Sequence, residues 1–399
     1  VEIGKTIDIL NKLTQDTAIQ AKAEEKRATT LNWIITALAT ALGLIFAAFV
    51  TRSLVGPIKH LLGGTRAVED GNLEVEIEVR THDEIATLAH SFNHMVVGLR
   101  EKEHIREIFG QYVDPRIVRG LLENRLPSDG GERQVMTVFF SDLEGFTRLC
   151  EGLTPDAAVR FLNRYFSLMS DVIRIQQGIV DKYIGDSVMA FWGPPFTDAA
   201  DHARLCCTAA LEQMARLDTF HAGLPELFGV RQGLPEVNVR MGIASGEVTV
   251  GNIGSETSRG YTVIGDTVNL ASRLEQANKF YGTRILVSEG TRKLAGDTLV
   301  FREIDSLRVA GKMEPVRVYE LLGLASDASE SDRQRVQAYE AGLERYRAQD
   351  WDAAEAAFRE CLAGAQGDRP SQVMLERIAA FRQVPPEAGW DGVWVAGSK

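Results

Sequence analysis

Only four of the 399 residues are cysteine, and no two stand in a Cys-x-x-Cys pair. Cys150 and Cys361 are isolated, and Cys206 and Cys207 are adjacent within a helix-like run. This usage excludes a disulfide framework and a zinc ribbon and predicts buried, reduced thiols. Long basic runs are missing as well. Lys and Arg number 44 against 55 Asp and Glu, a formal net charge of −11, so no nucleic-acid partner is expected. An initiator methionine is missing too. The chain starts at Val1, which predicts a piece of a longer protein lacking its upstream part.

Charge itself is missing from residues 31–50, "LNWIITALATALGLIFAAFV". At about 1.5 Å per residue, a helix of this length matches the thickness of a bilayer core. It is too long for the core of a signal peptide and has no small-residue cleavage pattern. A single membrane span is expected, with membrane lipid as a partner. Lysines and arginines flank it on both sides, so the positive-inside count leaves orientation open. Upstream, Ile3, Ile7, Leu10, Thr14, Thr17 and Ala21 form one helical stripe. Residues 1–30 read as the end of an extracytoplasmic sensor helix.

Downstream, Gly56-Pro57 is followed by a heptad stripe through Leu54, Ile58, Leu61, Thr65 and Val68. Gly71 breaks it, and Ile85, Leu88, Phe92, Met95 and Leu99 resume it. Two short heptad helices cannot bury their seams alone, but a second chain supplying the same pair completes a parallel four-helix bundle. With Asp83-Glu84 opening the second helix, residues 51–103 resemble a HAMP domain. The stripe slips phase after Leu99, continuing at Ile105 and Ile108, and such slips locally unwind a coiled coil. Residues 104–130 read as a transducer linker.

Residues 131–322 alternate strand-like and helix-like patterns. These are a strand at 134–143, a helix at 155–177, a hairpin at 179–192, a helix at 198–216, strands at 237–245 and 247–253, a helix at 267–277 and a strand at 284–287. The class is α+β. Three patches carry chemistry. "FFSDLEGFT" puts Asp142 at a strand end before a Gly-containing turn, a placement suited to metal and phosphate. "DKYIGDSVMAFWG" puts Asp186 at a hairpin tip and Lys182 on its first strand. "TVIGDTVNLASRLE" spaces Asn269 and Arg273 four apart, on one helix face. Singly these are a strand-end acid, a turn former and an arginine paired with Glu275 or solvent. Together they bring two carboxylates within range of a pair of divalent ions.

The three patches, in this order and spacing, resemble class III nucleotidyl cyclases over residues 131–322. The resemblance implies a ferredoxin-like catalytic domain that pairs head to tail as a homodimer, with active sites in the interface. It implies Asp142 and Asp186, with Leu143, as ligands of two Mg²⁺ or Mn²⁺ ions per site. It further implies Lys182 and Thr262 as base readers, Asn269 as the ribose-orienting residue and Arg273 on the reacting phosphate. Arg240 and Lys312 fall on positions for the terminal phosphates, and Phe146 and Thr147 join the substrate-binding set. Lys182 can only donate, which suits adenine N1 rather than guanine N1–H. ATP is therefore the expected substrate and adenylyl cyclase the expected activity, regulated through the HAMP module. Many members carry Asp where this chain has Thr262, and a threonine hydroxyl can either accept or donate. The Lys-plus-Thr pair resembles a subgroup with bicarbonate-responsive members, which admits bicarbonate as a regulator. A guanylyl cyclase and a catalytically silent receptor module are the alternatives. The absence of a Gly-Gly-Asp/Glu-Glu-Phe turn argues against a diguanylate cyclase. Substrate chemistry puts the catalytic domain in the cytoplasm, on a cell-membrane protein.

Residues 330–399 read as a helical pair of tetratricopeptide type followed by a tail. One such repeat cannot make a solenoid, so packing on the domain or a partner is expected.

Overall fold

The computed structural model describes residues 2–78, 83–123, 126, 130–229, 236–308, 315–364, 367–387 and 389–395. The chain divides into two compact units, Val1–Tyr112 and Val113–Lys399.

In the first unit, helix α1 (Glu2–Val50) contains the apolar stretch and buries none of its residues. It is long and apolar enough to cross a membrane. A π-helical turn, Thr51–Val55, leads into α2 (Gly56–Glu69), which has Pro57 in its first turn. There the missing proline N–H costs nothing. Helix α3 (Glu84–Tyr112) follows. Leu61, Ile77, Ala89, Phe92 and Val96 form a small core. Asn93 straps the connector to α3 by exchanging two hydrogen bonds with the backbone of Ile77, both 2.9 Å. Much of the heptad stripe stays outside this core. Ile58, Leu88 and Met95 are each about half exposed. The phase slip after Leu99 lies inside an unbroken helix.

The second unit opens with α4 (Pro115–Leu122), β1 (Gly130–Leu143), α5 (Phe146–Glu151), α6 (Pro155–Ile175), β2 (Ile179–Ile184), β3 (Ser187–Trp192) and α7 (His202–Phe228). It continues with β4 (Val239–Gly254), β5 (Arg259–Ile264), α8 (Asp266–Tyr281), β6 (Ile285–Ser288), α9 (Glu289–Ala295), β7 (Leu299–Arg308) and β8 (Val316–Leu324). Helices α10 (Glu330–Arg347), α11 (Trp351–Gly364) and α12 (Arg369–Gln383) and strand β9 (Trp394–Val395) complete it. The described strands form one sheet in the order β2-β3-β1-β4-β6-β8-β7-β9, with β5 paired to β4. Its first four strands, with α6 and α7 as crossovers, are the βαββαβ of a ferredoxin-like fold. The α+β class holds.

Three readings are corrected. The strands at 237–245 and 247–253 are one strand, β4, because Gly246 continues the ladder opposite Met136. The helix at 198–216 begins at His202 and runs through Pro225 to Phe228, since burial of Phe220 and Leu224 outweighs the local proline cost. The C-terminal segment holds three helices and a short strand rather than a pair with a tail.

One face of the sheet buries Phe161, Tyr165 and Met169 of α6 and Cys206, Cys207 and Phe220 of α7. The other buries Leu274 and Tyr281 of α8 together with Tyr339, Phe358 and Met374 of the C-terminal helices. Those helices are tied to the sheet by buried ion pairs. Arg302, paired within the sheet to Glu320 at 2.5 Å, reaches Asp368 at the start of α12 at 2.7 Å, and Arg377 of α12 binds Asp305 at 2.5 Å. Tyr281, the last residue of α8, donates to the same Asp305 at 2.5 Å.

Candidate active site

Antiparallel pairing sets Asp142, near the end of β1, opposite Arg240 on β4. The β2–β3 hairpin turns through Gly185 at φ 65°, a left-handed conformation that suits glycine. It carries Asp186 to the end of β1, close enough to Asp142 for the two charges to act on each other. Ser187 Oγ donates to Asp142 Oδ1 at 2.7 Å. Arg240 lies 3.6 Å from Asp142 and 3.9 Å from Glu275. Burial and then the Asp142 charge push Asp186 up to about 6. Glu275 is pushed up to about 7 by burial and Asp142, against the pull of Arg240.

Carboxyl groups crowded in this way are stabilised by a cation, so the donor set fits a divalent ion. Among the described residues, no three His, Cys, Asp or Glu side chains gather into a metal cage. The fit is therefore two carboxylates plus a backbone carbonyl, for which Leu143 is the expected residue.

A cleft of about 330 Å³ opens over Asp142, walled by Ser187, Arg240 and, from α8, Ser272, Glu275, Gln276 and Lys279. Lys182, Thr262, Asn269 and Arg273 do not line it. Helix α8 can lie this close because Gly242 on β4 has no side chain. A Cβ there would strike the Ala271 carbonyl and the Glu275 backbone nitrogen. Asn269 is exposed and Arg273 half-buried on the same helix. Arg273 has no ion-pair partner among the described residues, and its sequence neighbour Glu275 faces Arg240 instead.

Lys182 and Thr262 come together elsewhere, through a third residue. The β2–β3 register shifts between Val180 and Lys182, leaving Asp181 as the extra residue of a β-bulge. Thr262 Oγ1 donates to Asp181 Oδ2 at 2.5 Å, and Lys182 Nζ lies 3.8 Å from Asp181 Oδ1. Burial raises the Asp181 carboxyl, while the Thr262 hydroxyl and the Lys182 charge draw it down.

The Phe146 ring is partly buried, stacked 6.1 Å from Phe161. Thr147 is exposed. Lys312 lies outside the described residues. Sequence reasoning passed over Asp181, Ser187 and the cleft-facing Glu275. Ser187 was legible only as the neighbour of Asp186, and nothing in the residue pattern marks the bulge.

Residues 131–323 match the family profile of the adenylate and guanylate cyclase catalytic domain, and residues 49–101 that of the HAMP domain. Adenylate cyclase 1 of Rhizobium meliloti is 31% identical over 326 residues, 81% of this chain and 45% of the relative. An adenylate cyclase of Anabaena cylindrica is 32% identical over 292 residues, 70% of this chain and 57% of the relative. The chain thus spans about half the length of the curated relatives it matches. A solved bacterial light-regulated adenylyl cyclase shares the fold, with a TM-score of 0.50 and 23% identity over 62% of this chain and 68% of that one. Residues 131–323 accordingly belong to the adenylate and guanylate cyclase catalytic-domain family, and residues 49–101 to the HAMP family.

Proposed function

We propose that the chain is a membrane-anchored adenylyl cyclase that works as a homodimer and is regulated through its HAMP module. The ribose 3′-oxygen of ATP attacks the α-phosphorus and loses its proton. The bond to the pyrophosphate oxygen breaks, giving 3′,5′-cyclic AMP and pyrophosphate. ATP supply puts the catalytic unit on the cytoplasmic side.

Mg²⁺ or Mn²⁺ held by Asp142, Asp186 and the Leu143 carbonyl would lower the pKa of the 3′-hydroxyl and bind the triphosphate. Arg240 and Lys312 hold the terminal phosphates, assisted by the backbone of Phe146 and Thr147. From the partner protomer, Arg273 places its fork on two oxygens of the reacting phosphate, a geometry lysine cannot supply. Asn269 orients the ribose. Lys182 donates to adenine N1 and Thr262 meets the 6-amino group.

One observation carries the reading. The cleft over Asp142 has no base reader, ribose ligand or Arg273 on its walls, although the chain contains all of them. A second copy completes the set, and a symmetric pair then holds two sites. Mixing two inactive variants tests this. Asp186→Ala and Arg273→Ala homodimers should be inactive, and the mixed dimer should regain one intact site. A demonstrably mixed dimer that stays inactive rejects the shared site.

A further inference from the structure

In a regular strand Asp181 and Lys182 would point to opposite faces. The bulge in β2 lets their side chains meet, and it turns the Asp181 side chain, 4% exposed, onto Thr262, itself 9% exposed. Building on the adenylyl cyclase reading, we infer that Asp181 is a positioning residue that sets base preference by fixing Thr262 as a hydrogen-bond acceptor. A free threonine hydroxyl offers one proton and two lone pairs. With its proton committed to Asp181 at 2.5 Å, Thr262 has only lone pairs to present. They accept from the 6-amino group of adenine and repel the 6-oxo group of guanine. The same carboxylate lies beside Lys182, whose ammonium donates to adenine N1 and opposes guanine N1–H. A buried acid one step behind the base readers thereby makes a threonine read as an acceptor.

The test compares kcat/KM for ATP and GTP in the full-length dimer with Mn²⁺. The unaltered chain should prefer ATP. Asp181→Leu removes the acceptor in a similar volume and frees the Thr262 proton for guanine O6. The ATP-to-GTP ratio should fall about ten- to hundredfold, mainly through KM. In a Thr262→Val background most of that change should disappear, which a merely structural role would not produce. If the leucine variant does not fold, Asp181→Asn should lower the ratio severalfold. For a folded but inactive variant, the two nucleotide Kd values supply the ratio. An unchanged preference in folded Asp181→Leu or Asp181→Asn overturns the role of Asp181 and leaves the cyclase reading standing. No turnover of either nucleotide by the unaltered chain, or a preference for GTP, overturns the adenylyl cyclase reading and the inference with it.

Discussion

Asp186 is held where a carboxylate is least comfortable, half-buried against Asp142. Its removal should therefore separate function from stability. Asp186→Ala is expected to abolish cyclic-nucleotide synthesis, yet in chelator-treated protein its melting temperature should equal or exceed that of the parent, because a repulsion is relieved. A large loss of stability would mark Asp186 as structural instead. Glu275 makes the companion case. Its carboxyl is raised from 4.5 to about 7, so between those pH values the folded chain holds more protons than the unfolded one. Stability must then fall as pH rises through that window and level off above it. Glu275→Gln should flatten the decline in metal-free thermal melts and raise the melting temperature by a few degrees at pH 8. At this scale the strand-end and hairpin-tip acids were legible from spacing alone. Glu275 was legible only as a neighbour of Arg273, because which stripe of α8 faces the sheet depends on a glycine 33 positions earlier. Asp181 was not legible, since strict alternation assigns it to the wrong face and only a bulge reverses that.

Among elements, α8 bears the most. It places Glu275 over the cleft and also carries Asn269 and Arg273, and Gly242 sets its distance from the sheet. Gly242→Ala would push a methyl group into backbone, which cannot swing aside as a side chain can. A cost of about 1–3 kcal/mol in stability is expected. A larger proportional loss of ATP turnover should accompany it, since a 1 Å misplacement can cost about a hundredfold. Chemical denaturation and turnover on the same preparation measure both, and full activity would show that α8 tolerates the shift. Element legibility followed periodicity. β1, α6, the hairpin and α8 were readable from alternation or amphipathic spacing. β4 was split at Gly246, which pairing carries through the ladder, and α7 was cut short at 216, which burial of Phe220 and Leu224 extends past Pro225.

Across the whole molecule, the HAMP region and the catalytic unit belong to one chain whose α3 runs unbroken from Glu84 to Tyr112. A helix transmits rotation. One residue inserted after Leu99 turns the following helix by about 100°, and seven nearly restore the phase. Basal cyclase activity should change strongly with one and largely recover with seven. Equal activity for both insertions, in dimeric and well-expressed protein, reduces the HAMP region to a tether.

The C-terminal helices show where the working unit ends. The family match stops at residue 323, but Arg302 inside it is neutralised partly by Asp368 beyond it, and Asp305 by Arg377. A chain trimmed at the family boundary would take the cation from Asp305 and uncover the aromatic and aliphatic floor now sealed by Tyr339, Phe358 and Met374. Breaking one such buried pair typically costs about 3–5 kcal/mol, a large share of what holds an ordinary domain folded. The family profile and the mechanics thus draw the border of this unit in different places: the stretch that matches the profile is not the smallest portion expected to stand alone.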